Sequence, residues 1–597
     1  MRRAGLLASA AFAFVLAAIV YVPVAQMPLE HEPDLSFRVT THDAFARRLQ
    51  LGRDIVSTYG PWGILQRGYD RRTDAAVLAV SALLAAAFAW GVFRLSRDGG
   101  APATATAAIA LAASGIVAAA GLDGRFTVLV LLLVLSMLEP WSPSRELPLA
   151  AALGVVALIK FSLFVFAVLV VVGVAMARRR VAHLAVFAGA LLVFWVAAGQ
   201  ELAGLPRFIA RGAEVARGYG AASAMGSGVP LALLAAVGLT LFCAAVERDV
   251  VRTALVGGAA LLVVRIGYIR ADLTHTRVAD ALLLLLIGGY LLIRRDTRRV
   301  RLTGGVAVGI VALLVGLPVL AYEAETQWSW LRTRGERLGQ LERELAVRSG
   351  AAFAPAVAGT IDSYPWGSAA LIVSGRRYAP RPVFQSCMAW TAKLAGINAE
   401  ALRGSRAPEW LWVDVGAIDG HLPLLDDGPS WLEMVRRYNV AAARDGRLLL
   451  HRAAAPKPLA LDPLLRVAPR FGEEVAIPEG GLLWCTIDIN VPLATRIRDV
   501  AGRAGSAMLE LTTADGARSR WRAGPDVLRS GFLLSPRATN VEELALLLAG
   551  DDRHRVARLR VWYDGQRYAL HVSAVRTPRP ASRTAPAPSA PHTSPHQ

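Results

Sequence analysis

Lysine and cysteine are nearly missing from this chain of 597 residues: three of its 65 basic residues are lysines (Lys160, Lys393, Lys457), and it has three cysteines. Cys243 lies in an apolar run, so the most the cysteines can make is one bridge between Cys387 and Cys485. That excludes a disulfide-stapled scaffold and leaves unpaired small core residues as the simpler reading. Also absent are a P-loop, a nucleophile elbow, an H-E-x-x-H helix, paired C-x-x-C motifs and a dinucleotide fingerprint. The common soluble nucleotide, hydrolase, zinc and redox chemistries therefore lack support. Charge is scarce in long stretches of the first half: LLASAAFAFVLAAIVYVPV, AAVLAVSALLAAAFAWGVF and GVAVGIVALLVGLPVLAY contain almost none.

Hydrophobic residues make up 54% of the sequence, which a soluble protein of this length rarely shows. The net charge of +19 does not point to nucleic acid, because the arginines cluster in short connections between apolar runs and in a basic tail. Arginine used almost to the exclusion of lysine in an Ala-rich chain fits the coding bias of a GC-rich genome and says nothing of function.

The fold class expected is a polytopic α-helical membrane domain over residues 1–322, followed by a water-exposed region. Residues 5–24 follow Arg2 and Arg3 and read as a signal-anchor span rather than a removable leader. Further spans are expected at 75–95, 101–121, 126–140, 181–199, 229–246, 252–269, 277–294 and 303–321. The stretch 147–177 would make a helix of about 46 Å, against a hydrocarbon core of roughly 30 Å. Lys160-Phe161-Ser162 interrupts it, so it reads as two short spans, for about eleven in all. The N-terminus, Arg178-Arg179-Arg180 and the arginines of 294–301 then face the cytoplasm of a plasma membrane, and the C-terminal region lies outside. Seven arginines in the 25–74 loop run against that rule.

Beyond residue 322, residues 323–351 (with Trp328, Trp330, Leu331, Leu338, Leu341 and Leu345) predict an interfacial helical connector. Residues 352–455 alternate strand-like runs (GTIDSYP, AALIVSG, EWLWVDV, RLLLHR) with helix-like ones, an extracytoplasmic α/β unit. Short strands dominate 463–575, as in a β-sandwich, and the Pro/Ala/Ser-rich residues 577–597 should be disordered.

One long hydrophilic loop, residues 25–74, interrupts the membrane part, and a loop of that length suggests function. It holds Glu32, Asp34 and Asp43, then Thr58-Tyr59-Gly60-Pro61-Trp62-Gly63, which also reads as a turn with Trp62 anchored at headgroup depth. A second constellation, Arg265, Arg270, Asp272, His275 and Arg277, lies at the end of the 252–269 span, where polar groups are costly. Lys160 and the pair Asp123/Arg125, the two expected to bind each other, occupy other short turns. Residues 200–228 read as an amphipathic surface helix.

PDLSF followed by LGRDIVSTYGPWG, with the span count and the C-terminal outer domain, resembles the GT-C superfamily of polyprenyl-phosphate-sugar glycosyltransferases, in an uncharacterised bacterial branch. The pattern matched is D-x-S-W, then F-G-x-D-I-V-x-T-Y-G-P; Phe37 stands where Trp is usual, and no D-x-D pair is present. The resemblance covers the membrane region and, more weakly, PRPVFQSCMAW at 380–390. It implies transfer of a sugar from a membrane-borne polyprenyl-phosphate donor to a cell-envelope glycan or protein acceptor. Such transfer needs a carboxylate to take the acceptor proton and cations, or a divalent ion, to stabilise the departing phosphate. Asp34 is the first candidate base, with Glu32 and Asp43 behind it. Lys160, Arg265 and Arg270 are candidate phosphate contacts, and Asp272 or His275 can orient a base or ligate a divalent ion. Arg381, Gln385 and Trp390 are candidate acceptor contacts. Alternatives are a non-catalytic envelope assembly or transport protein and a polymerase or ligase using a lipid diphosphate.

Overall fold

The computed structural model describes residues 2–22, 32–66, 70–98, 103–119, 121–223, 231–247, 249–268, 272–293, 317–492, 506–563 and 565–576. The expected span at 303–321, the arginines of 294–301, Arg270 and the tail 577–597 fall wholly or largely outside them.

Among the described residues, twelve α-helices precede residue 294: α1 (Arg2–Tyr21), α2 (Glu32–Ala46), α3 (Asp74–Asp98), α4 (Ala103–Ala119), α5 (Gly121–Leu138), α6 (Pro143–Val156), α7 (Phe161–Arg178), α8 (Ala182–Ala197), α9 (Leu205–Ser223), α10 (Leu231–Glu247), α11 (Val250–Tyr268) and α12 (Leu273–Ile293). Ala, Leu and Val runs fold this way because a helix satisfies its own backbone polar groups where water is missing. Among the described residues, four helices are long and apolar enough to cross a membrane: Asp74–Asp98, Phe161–Arg178, Val250–Tyr268 and His275–Ile293. A fifth is reached if α8 and the following helix count as one broken span, but their axes differ by 111°. The α5 helix runs through the middle of the bundle, with Val128 to Leu131 wholly buried. Arg178, expected in a solvated arginine edge, turns inward to Glu146 at 2.7 Å, where His183 also binds at 3.0 Å.

Two further helices, Leu317–Arg332 and Arg334–Arg348, occupy the connector. Trp328 is exposed there, whereas Trp330 is buried rather than interfacial. The C-terminal region is rich in β-structure. Strands β1 (Ile361–Tyr364), β2 (Trp410–Val413), β3 (Tyr438–Arg444) and β4 (Arg447–Arg452) form a mixed sheet in the order β1-β2-β4-β3. AALIVSG, read as a strand, is the helix Ser368–Val373. Its start is fixed from far away, for the Ala369 N–H donates to Ser36 Oγ at 3.1 Å.

Strands β5 (Ala460–Val467), β6 (Glu474–Ala476), β7 (Leu483–Asp488), β8 (Ala507–Thr513), β9 (Arg518–Ala523), β10 (Phe532–Ser535), β11 (Val556–Trp562) and β12 (Ala569–Arg576) make two antiparallel sheets, β10-β7-β12-β5 and β6-β11-β8-β9. Alternate residues such as Leu483, Cys485 and Ile487 of β7 and Leu509 and Leu511 of β8 share one core, as the two-residue period of a strand requires. All three cysteines are free.

The fold puts the first hydrophilic segment against the C-terminal region. Val56 N–H donates to Pro382 O at 2.7 Å, Gln385 Nε2 to Pro33 O at 2.6 Å, and Thr40 and Ser368 share a hydroxyl contact at 2.7 Å. The segment is therefore not a solvated loop: α2 buries Leu35, Ser36, Thr40, His42 and Asp43, and residues 60–66 are buried as well.

Candidate functional site

A helix break leaves carbonyls without intrahelical donors, and α6 and α7 are separated by such a break at 157–160. The TYGPWG segment supplies the donors: Trp62 N–H binds Leu158 O and Gly60 N–H binds Ile159 O, each at 3.0 Å, while Phe161 N–H binds Thr58 O at 2.9 Å. Tyr59 and Lys160 thereby pair as one antiparallel bridge. Gly60 is needed for the approach, since a Cβ there would lie 2.3 Å from Leu158 O. Trp62 is buried and donates Nε1–H to Phe194 O at 2.9 Å, so it locks the break rather than anchoring the chain at a headgroup layer.

This junction holds Lys160 in place. Its Nζ lies 2.6 Å from Asp123 Oδ2, and Gln66 Nε2 donates to the other oxygen of Asp123 at 2.7 Å. The expected Asp123–Arg125 pair does not form, because Arg125 instead donates to Leu65 O at 2.5 Å and lies 4.8 Å from the centre of the Phe126 ring. Sequence adjacency suggested a pair that the helix geometry separates.

Lys160 opens onto a cavity of about 460 Å³ between the helices and the C-terminal region. Of the sequence candidates, Asp34, Thr58, Tyr59, Lys160, Arg265, His275, Gln385 and Trp390 line it. Phe161, Val165, Phe166, Leu262 and Ile266 of α7 and α11 make an apolar wall. A second groove of about 600 Å³, among α1, α3, α6 and α8, has no ionisable lining residue and carries no chemistry.

The three candidate carboxylates of the first segment separate by their partners. Glu32 binds Arg447 at 2.8 Å, and Asp43 is buried between Arg47 and Arg72, each at 3.0 Å. Neither lines the cavity. Asp34 is exposed to it and has no hydrogen-bond or ion-pair partner among the described residues. Its neighbour one turn on, Arg38, lines the same space because positions i and i+4 share a helix face. Asp272 stands behind His275, 2.8 Å from its Nδ1. Among the described residues no group of three or more His, Cys, Asp or Glu side chains converges as a metal cage.

His42 also lines the cavity and is buried, with Nδ1 2.7 Å from Thr73 Oγ1. Burial holds its pKa down at about 4, with Arg72 and Arg38 adding to the effect and Asp70 opposing it. A histidine kept neutral by folding takes up its proton more readily when unfolded. Its contribution is complete above the unfolded value of about 6.5 and declines as pH falls towards 4. The thermal midpoint of wild type should therefore lose ground to that of His42→Gln between those limits, and parallel curves would remove His42 as the cause.

Arg381, expected to meet an acceptor, is wholly buried. Its guanidinium binds Asp362 at 3.0 Å, Ser363 O at 2.6 Å, Pro365 O at 2.7 Å and Ser386 Oγ at 2.9 Å. Asp427 is 3.6 Å away, and burial pushes its carboxyl up to about 7. Arg381 is a pin for the 380–390 loop and does not reach the cavity. Arg381→Met should cost about 3–5 kcal/mol, the range for removing one partner of a buried ion pair, read as a lowered unfolding midpoint; a change under about 1 kcal/mol would contradict the pin.

Sequence reading missed Asp419, His421 and Tyr219, which also line the cavity. His421 Nδ1 lies 3.1 Å from Asp426 Oδ1. Burial lowers the His421 pKa, but the Asp426 charge and hydrogen bond outweigh it and leave the value raised. No motif spacing marks these residues. No protein-family model, curated protein or solved structure matches the chain.

Proposed function

We propose that the chain is an integral membrane glycosyltransferase of GT-C type, moving a sugar from a polyprenyl-phosphate donor to an envelope acceptor at the outer face of a bacterial plasma membrane. The observation that carries this reading is the meeting, in one cavity, of a carboxylate without a partner among the described residues, Asp34, with Lys160, Arg265 and His275 and an apolar wall of helices. A donor with an anionic head and a hydrocarbon tail matches both halves of that lining. In the reaction Asp34 takes the proton of the acceptor hydroxyl, the hydroxyl oxygen bonds to the anomeric carbon, and the carbon–phosphate oxygen bond breaks with its electron pair going to the phosphate. Lys160 and Arg265 stabilise the charge gathered there. The N-terminus of α7, which opens onto the cavity at Phe161 and Ser162, adds the positive end of a helix dipole.

About eleven crossings suit the same reading. The contacts between residues 33–56 and 365–385 keep the first segment and the C-terminal region on one side. That requires an even number of crossings between residue 74 and the connector. Splitting 147–177 at the break satisfies it.

The test is turnover in liposomes by the purified full chain. With polyprenyl-phosphate glucose or mannose as donor and octyl glycosides as acceptors, glycosylated acceptor and free polyprenyl phosphate should accumulate together. A lipid-diphosphate polymerase would release the diphosphate instead. Glycan binding without either product would place the chain among non-catalytic envelope proteins.

A further inference from the structure

One wall of the cavity does not come from the helices. Gln385, Trp390, Asp419 and His421 of the C-terminal region close it, and the most constrained of these is His421. Its ring is buried, Nδ1 is turned to Asp426 at 3.1 Å, and Nε2 is shielded with no hydrogen-bond partner among the described residues. Native proteins rarely leave such a nitrogen unpaired. A bound group that completes it is the simplest reason for keeping it.

The loop that carries His421 is built to be stiff. Arg522 N–H donates to Gly420 O at 2.7 Å, the Arg522 guanidinium to Asp419 O at 3.3 Å, and Trp431 Nε1–H to Asp426 O at 3.2 Å. Asp419 and Asp427 both hold left-handed backbone, φ 50° and 58°, a conformation that costs non-glycine residues free energy and gathers at functional sites. The sandwich strand β9 and the helix Gly428–Arg437 thus clamp one histidine at the wall of the cavity.

The chemistry of the missing partner follows from the neighbours. Asp419 and Asp426 disfavour an anion on this wall, and the cations that suit a phosphate stand on the helices. A hydroxyl fits Nε2 in either protonation state, giving its hydrogen to the neutral ring or accepting one from the charged ring. Trp390, 5.1 Å from Tyr219 between ring centres, lines the same space with an aromatic surface suited to the C–H face of a sugar.

We propose that His421, held by Asp426, together with Trp390 forms the subsite for a saccharide acceptor, which it recognises by a hydroxyl. The assignment rests on the glycosyltransfer reading and adds to it which wall binds the acceptor. The experiment is steady-state transfer by the full chain in liposomes with polyprenyl-phosphate mannose and octyl glucoside or octyl mannoside. His421→Phe keeps the ring and removes the nitrogen. The octyl glycoside KM should rise about tenfold or more, as for loss of one hydrogen bond from a buried site, with the donor KM within about twofold of wild type. His421→Gln, which returns an oxygen near the Nε2 position, should recover much of that loss, a recovery a purely structural role does not predict. Should the phenylalanine variant not fold, Asp426→Asn asks the same question by freeing the ring, and the acceptor KM should again rise. An unchanged acceptor KM, or a rise confined to the donor KM, overturns the subsite while transfer itself stands. Absence of transfer by wild type, with no polyprenyl phosphate released, removes the reaction and the subsite with it.

Discussion

Asp34→Asn is expected to lower transfer by about 10²–10⁴-fold, the range for losing a positioned general base, and to leave folding nearly untouched. The two halves of that expectation have separate physical grounds. Asparagine has the shape of aspartate but cannot take the acceptor proton. Asp34 has no ion-pair or hydrogen-bond partner among the described residues, so its replacement breaks no contact there. What is lost is its favourable place in the first turn of α2, about 0.3–1 kcal/mol of helix-dipole interaction. The paired carboxylates make the control. Asp43→Asn cuts into a buried pairing with Arg47 and Arg72 and should lower the unfolding midpoint, with activity falling only as the folded fraction does. Donor binding by Asp34→Asn, read as polyprenyl phosphate retained through purification, should match wild type because Lys160 and Arg265 are intact. Wild-type turnover in a folded Asp34→Asn would remove it from the mechanism.

The parts of this fold that were legible in the sequence are those written in local periodicity. Apolar runs announced the helices, and Lys160-Phe161-Ser162 marked the break between α6 and α7. The short strands that dominate 463–575 announced the sandwich. What stayed hidden was set by distant partners. AALIVSG has the composition of a strand, yet Ser36, more than 300 residues away, caps it as a helix. Arg381 was a candidate acceptor contact through the weak resemblance of PRPVFQSCMAW, although a proline-framed aromatic turn also reads as scaffolding, and only the fold reveals two buried carboxylates around it. The first segment looked solvated because it is polar, but several of its polar atoms, those of Thr40, Val56, Thr58, Gly60 and Trp62 among them, pair with the break or with the C-terminal region. Of the candidates, Asp34, Lys160, Arg265, His275, Gln385 and Trp390 line one cavity, whereas Asp272 stands behind His275 and Arg270 lies outside the described residues. His421 and Asp426 were invisible because their geometry depends on a loop held by Arg522 of β9.

Lys160→Met is expected to lower both stability and transfer, and a second substitution separates the two effects. Lys160 and Asp123 keep 24% and 21% of their side-chain surface open, towards the cavity. Removing the lysine leaves Asp123 with Gln66 as its remaining side-chain hydrogen-bond donor among the described residues. Breaking a buried pair typically costs about 3–5 kcal/mol; water reaching Asp123 through the cavity puts the expected loss at the lower end, about 3 kcal/mol. Adding Asp123→Asn removes the stranded charge and can keep the hydrogen bond to Gln66, so most of the stability should return. Transfer should not return with it. A cation aimed at the developing phosphate charge is worth about 10²–10³-fold in rate, and neither methionine nor asparagine replaces it. Recovery of the unfolding midpoint with donor kcat/KM still down about 100-fold would mark Lys160 as a phosphate contact. Recovery of both would leave it as the structural partner of Asp123, and the phosphate would then have to be held by Arg265 and His275 on the opposite helices.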